Sequence, residues 1–282
     1  MAIKIENVFY TYAPQSVFEY KALKGIDLKI NNNSFTAIIG QTGSGKSTLI
    51  QHLNAILLPE AGTLEINDFK ITNKDKKTSY KNLRKEVGLV FQFSEYQLFE
   101  ETILKDVMFG PLNFDVDEKR AQELAIKYLK LVNIDESLFD KSPFDLSGGQ
   151  KRRVAIAGIL AIQPDIIVLD EPTAGLDPQG AQEMMEVFLE LKEQHHKTLI
   201  LVSHDMDFVY EYAQNIVLLN EGRIVLNEDK VNFFNNKDIS KYGIEKPQLL
   251  NLYEGLFNKQ AKMYLSYDKM INLIVEEFSD VK

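Results

Sequence analysis

Between Ile3 and Tyr12 the chain is dense in β-branched and aromatic residues, apolar and polar positions alternate over residues 26–30, and residues 36–39 form a short apolar run ending on glycine. These patterns predict three strands. The third is followed by a glycine-rich turn and a helix-compatible segment at 46–57. The period then changes: Ala121, Leu124, Ala125, Tyr128, Leu129 and Val132 recur at three and four residues, one face of a helix that Asp117 can cap. Strand signals return at 166–169, 198–202 and 216–219, separated by helical spacing at Ala181, Met184, Met185, Phe188 and Leu189. Strands alternating with helices imply a parallel sheet covered on both faces. The chain therefore reads as an α/β core with a helical insertion near residues 93–165.

Composition sharpens this picture at one end of the chain. Over residues 231–282 strand signals stop, 8 of 52 residues are aromatic, and 7 lysines balance 7 acids. Such a segment lacks the character of a solvated tail. Met270, Leu273, Ile274 and Phe278 fall at helical spacing, so helices packed on the core or on a partner are expected. The formal charge of −9 disfavours sequence-blind binding to nucleic acid or anionic lipid. With no cysteine there is no disulfide and no thiol chemistry, which fits a reducing compartment. The longest apolar run, residues 154–162, is far below the roughly 20 residues that a membrane-spanning helix requires. The first ten residues show no signal-peptide pattern.

Chemistry concentrates at three places. Gly40-Gln41-Thr42-Gly43-Ser44-Gly45-Lys46-Ser47 fits G-x-x-x-x-G-K-[ST] between a predicted strand and a predicted helix. Glycines allow a tight turn, backbone N–H groups point at phosphates, and the helix dipole favours negative charge there. Lys46 is placed to neutralise β/γ-phosphates and the Ser47 hydroxyl to ligate Mg²⁺, with Thr48 beside it. The strand at 166–169 delivers Asp170, suited to hold Mg²⁺, and then Glu171, suited to orient and deprotonate a water. Ser147, Gly148, Gly149 and Gln150 open a further helical run, a second anion-binding helix start. A cap by Ser147 accounts for the serine but not for the paired glycines followed by glutamine.

The segment LSGGQ, with GQTGSGKS before it and IIVLDEPTAGLD after it, resembles the ATP-binding cassette (ABC) ATPase family over roughly residues 3–230. The resemblance implies an α/β P-loop NTPase core with an N-terminal antiparallel β subdomain, a helical insertion and a C-terminal helical extension. The ATPase domain would occupy 1–230, with 231–282 as an extension contacting the dimer partner. ATP and Mg²⁺ are the implied cofactors. Ser147, Gly148, Gly149 and Gln150 would act in trans, on ATP held by the phosphate loop of an opposite subunit. Gln92 resembles the glutamine that contacts Mg²⁺ and the attacking water, His204 the switch histidine at the γ-phosphate, and Asp177 the aspartate that couples the two sites. Tyr12 resembles the aromatic that stacks on adenine, although Tyr10, two residues away, lies on the same strand face.

Residues 91–102 (FQFSEYQLFEET), DVMFGPLN at 106–113 and KRRVAIAGILA at 151–161 resemble the ATPases of energy-coupling factor (ECF) transporters. The insert at 14–20 and the extension are most like the second ATPase of the heterodimeric form. That group imports vitamins or transition-metal ions. The implied partners are a second ATPase subunit, paralogous or identical, a transmembrane coupling subunit and a substrate-binding membrane subunit, with no nucleic acid. The implied location is the cytoplasmic face of the cell membrane. Another importer's ATPase and a soluble non-transport ABC ATPase are the alternatives. Tyr96, Leu98 and Phe99 are candidates for a membrane-subunit contact or for cover of the helical segment's own core; both readings are open here.

Overall fold

A computed structural model describes residues 1–74, 79–257 and 266–279, the last three as backbone. The predicted first strands form an antiparallel hairpin of β1 (Ile3–Tyr12) and β2 (Tyr20–Ile30), pairing Ile3 with Ile30 and Tyr12 with Tyr20. β3 (Phe35–Ile39), buried at every position, leads into α1 (Lys46–Leu53). That helix stops short of the expected residue 57 because Asn54 is its C-cap and Ala55 takes a left-handed φ of 53°. β4 (Ala61–Ile66) and β5 (Phe69–Ile71) complete a four-stranded antiparallel sheet in the order β2-β1-β4-β5.

α2 (Lys81–Glu86) and β6 (Val87–Val90) precede the helical segment, whose principal helices are α3 (Ile103–Asn113), α4 (Glu118–Leu131) and α5 (Gly148–Ala161). Asp117 caps α4 by accepting from the Arg120 N–H at 3.0 Å, and the predicted face from Ala121 to Val132 is buried. The chain then runs through β7 (Ile166–Asp170), α6 (Pro178–His195), β8 (Thr198–Val202), α7 (Met206–Tyr212), β9 (Asn215–Asn220) and β10 (Arg223–Asp229). The second sheet has the order β10-β9-β3-β8-β7-β6, parallel from β9 to β6 with β10 antiparallel at its edge. β3, β8 and β7 are thus adjacent and point the same way. The segments leaving their C-terminal ends meet at one sheet edge, where α/β proteins place ligands.

One core joins α3, α4 and α5 to the sheet through residues such as Val107, Leu129, Val154, Leu169 and Phe188. A second fills the space between the two sheets and α1. A third lies under the C-terminal residues: α8 (Lys230–Asn235), α9 (Gln248–Phe257) and α10 (Tyr267–Ser279) bring Phe233, Phe234, Leu250 and Met270 against Ile39, Val209 and Leu218. Leu273 also packs there, Ile274 is half-buried, and the Phe278 side chain lies outside the described residues. Among the described residues no helix is long and apolar enough to cross a membrane.

Candidate active site

The loop 40–45 turns tightly after β3 because its glycines occupy backbone regions closed to other residues. Gly40 has φ 146° and Gly45, the N-cap of α1, φ 106°; a Cβ on Gly40 would lie 2.1 Å from the Leu219 carbonyl oxygen. The Lys46 ammonium curls back over this turn and donates to the carbonyls of Gly40, at 2.7 Å, and Gln41, at 3.0 Å. Burial pushes its pKa down, against the pull of Glu171 and Asp170.

The two carboxylates arrive from β7. Asp170 ends the strand and is buried, and burial raises its pKa, with Lys46 opposing. Glu171 takes the left-handed φ of 49°, uncommon for a residue with a side chain, and its N–H donates to the Val202 carbonyl at 3.0 Å. Burial first, and the charge of Asp170 second, push the Glu171 carboxyl up to about 7. The Ser203 hydroxyl lies 3.5 Å from its Oε2, and His204 Nε2 lies 3.7 Å from its Oε1. Burial, helped by Lys46, lowers the His204 pKa.

Thr42, Gly43, Gly45, Lys46, Ser47, Thr48, Gln92, Asp170, Glu171 and His204 therefore surround one cavity of about 290 Å³. Gly40 and Gln41 act through their carbonyls on Lys46, and Ser44 lies buried beneath. Gln41 also donates, at 3.3 Å, to the carbonyl of Tyr242. The two tyrosines on β1 pack edge-on against each other, centroids 4.9 Å apart, and both meet α1: Tyr10 lies edge-on against His52, and the Tyr12 hydroxyl lies 3.2 Å from Thr48 Oγ1.

Other predicted residues stand apart from this cavity. Ser147 caps α5, accepting from the Gln150 N–H at 3.3 Å, while the Gln150 side chain accepts from the Ser147 N–H at 3.0 Å. This reciprocal capping box corrects the expectation that a cap leaves the glutamine unexplained. A Cβ on Gly148 would meet nothing within 4 Å and one on Gly149 only a leucine methyl, so local packing does not demand either glycine. Asp177 caps α6, accepting from the Gly180 N–H at 2.6 Å.

Two contributors escaped sequence reasoning. Tyr20, opposite Tyr12 across the hairpin, lines the cavity and donates its hydroxyl to the Gly43 carbonyl at 2.6 Å. Its signal was available, an aromatic facing Tyr12 across a hairpin, but required the register. The hydrogen bonds of Arg152 run to backbone carbonyls, which leave no trace in side-chain patterns.

Residues 23–174 match the family model described as ABC transporter. The chain is 46% identical over 279 residues to the energy-coupling factor transporter ATP-binding protein EcfA2 of Lactobacillus gasseri, covering 97% of this chain and 96% of that one. It is 52% identical to the EcfA2 protein of Enterococcus faecalis, over 80% of this chain and 78% of the relative. Among solved structures, cbiO1 from Clostridium perfringens, described as part of the ABC transporter complex cbiONQ, superposes with a TM-score of 0.75 at 36% identity, covering 92% of this chain and 99% of that one. The ATP-binding cassette MJ0796, in a dimeric post-hydrolysis state with ADP and Pi, gives 0.73 at 32% identity, over 81% and 98%.

Proposed function

This chain belongs to the ABC transporter family, and from that premise we propose that it is the ATP-hydrolysing subunit of an ECF-type importer. The carrying observation is the convergence of the Lys46 loop, the Asp170–Glu171 pair and His204 on one cavity, set by the adjacency of β3, β8 and β7. Loop N–H groups and Lys46 bind the ATP phosphates, Lys46 exchanging its hold on two carbonyls for phosphate oxygens. Glu171, with a proton affinity raised by burial, takes the proton of the attacking water. His204, 3.7 Å from that carboxylate, is placed to contact the γ-phosphate. Tyr12, on the α1 side of the hairpin, supplies the aromatic face for adenine.

Ser47, Asp170 and Gln92 offer hydroxyl, carboxylate and amide oxygen around the cavity, the hard donor set that suits Mg²⁺. Among the described residues no cluster of three His, Cys, Asp or Glu could hold a metal alone, which fits an ion shared with nucleotide phosphates. When bound, that ion supplies charge neutralisation to the phosphates.

Ser147, Gly148, Gly149 and Asp177 lie outside the cavity of their own chain, so they are assigned to the ATP of a second ATPase subunit. Partner helices of a transmembrane coupling subunit are assigned to the face after Gln92. There Leu98 turns into the core, while Tyr96, Phe99 and Phe109 stay exposed and Phe99 meets Phe109 edge-on at 4.9 Å beside an apolar cavity of about 310 Å³. A separate membrane subunit would bind the vitamin or metal-ion cargo, with this chain at the cytoplasmic face. Purification from detergent-solubilised membranes tests the reading. Integral subunits and a second ATPase should co-purify, and recovery of this chain entirely in the soluble fraction would overturn the transport role.

A further inference from the structure

α5, the helix that Ser147 caps, carries a buried charge outside the residues assigned to hydrolysis. Arg152, in the second turn of α5, is 3% exposed. Its Nη2 donates to the backbone carbonyls of Gln92 and, at 3.0 Å, Glu171, while Nη1 donates to that of Ala174. The carboxylate of Glu95 stands 4.0 Å from Nη1. Glu95 Oε2 and Arg152 Nε are buried without a hydrogen-bond partner.

Fold stability alone is a poor reason for this arrangement. Desolvating a guanidinium is costly, and apolar residues of similar volume commonly serve a core at least as well. The adjacent Arg153 is less buried and has a full ion pair, with Glu183 at 3.0 Å, beside its bond to the Val132 carbonyl at 3.1 Å. What a guanidinium adds is a rigid planar fork of five donors. Here that fork ties two separate stretches to α5: the loop after β6, through Gln92, and the turn that follows β7, through Glu171 and Ala174.

Glu171 is the stretch with most to lose. Its left-handed backbone persists only when the surroundings over-determine it. Its N–H is pinned by the Val202 carbonyl, and its own carbonyl accepts from Arg152 and, at 3.2 Å, from the Ala174 N–H. The side chain between those two pins is the carboxylate at the cavity.

We propose that Arg152 is a positioning residue for hydrolysis: from α5 it fixes the backbone of Gln92 and Glu171, so that the catalytic carboxylate is aligned only while the helical segment is docked on the core. The proposal rests on the assignment of Glu171 as general base. It makes the arginine a mechanical link between the surface assigned to the membrane partner and the water-activating group.

Arg152→Lys keeps the charge but loses the fork, and Arg152→Gln loses both. Each is compared with wild type and with Glu171→Gln in the full chain purified with its partner subunits. Both Arg152 variants should lower kcat at least about tenfold while KM and the affinity for a fluorescent ATP analogue stay within about threefold. Amide hydrogen exchange should quicken at 91–96 and 171–175 while α5 stays protected. A kcat within about twofold of wild type in Arg152→Lys, alongside an inactive Glu171→Gln, would overturn the positioning role and leave the general base standing. Exchange that rises evenly along α5 would reduce Arg152 to core packing and equally overturn it. Turnover in Glu171→Gln would instead defeat the assignment on which the proposal rests.

Discussion

Glu171 combines three pressures in one residue: burial, an adjacent carboxylate and a left-handed backbone. Its folded carboxyl sits near 7 rather than at the usual 4.5. The sign for stability follows. The folded state holds a proton that the unfolded chain releases, so stability falls as pH rises from the ordinary value through 7, by about 3 kcal/mol for a shift of this size. Glu171→Gln removes the ionisation that causes the loss. The variant should melt above wild type at pH 8 and level with it at pH 5, as read by calorimetry without nucleotide; equal melting at both pH values would contradict the buried-carboxylate account. At this scale the sequence was legible wherever a role belongs to a side chain at a strand end or in a loop motif, as with Lys46, Asp170 and Glu171. It was opaque for Arg152 and Tyr20, whose partners are the carbonyls of Gln92, Glu171, Ala174 and Gly43.

Elements follow from local rules that mostly agree with tertiary packing. The alternation at 26–30 is the buried–exposed alternation of β2, and the 121–132 spacing is the buried face of α4 and its cap. The strands β4, β5 and β10, the last two at sheet edges, gave no clear sequence signal because many of their positions are only half-buried and the alternation breaks down. α1 ended early for a conformational reason, Ala55 in the left-handed region, which no apolar pattern reports. At the start of α5 the capping box makes a separable prediction. Ser147→Ala should cost about 1 kcal/mol of stability through the lost cap, seen as a lower denaturation midpoint in the isolated chain. Ser147→Thr should restore the midpoint, since threonine caps nearly as well. If Ser147→Ala leaves the midpoint unchanged, the hydroxyl is not holding the helix.

The whole molecule is organised so that three parallel neighbours, β3, β8 and β7, open onto one edge, with helices α3–α5 on one side and C-terminal helices on another. Asp207, three residues past His204, accepts from the N–H of Gln248 at 2.9 Å and from the hydroxyl of Tyr267, so the C-terminal helices are tied to the segment carrying the histidine. The α/β order was legible because strand and helix periods alternate along the chain; the antiparallel sheet and the docking of α8–α10 depend on contacts between distant segments. Ser147, Gly148, Gly149 and Gln150 stand outside the cavity described above, and the proposed function assigns them to a second subunit. In the proposed function, ATP hydrolysis in this cavity depends on Glu171. Steady-state phosphate release by the complex purified with its membrane subunits tests it most directly, comparing wild type with Glu171→Gln at saturating ATP. The variant should still bind ATP and accumulate as a long-lived closed dimer with turnover abolished; phosphate release at the wild-type rate would rule out Glu171 as the general base.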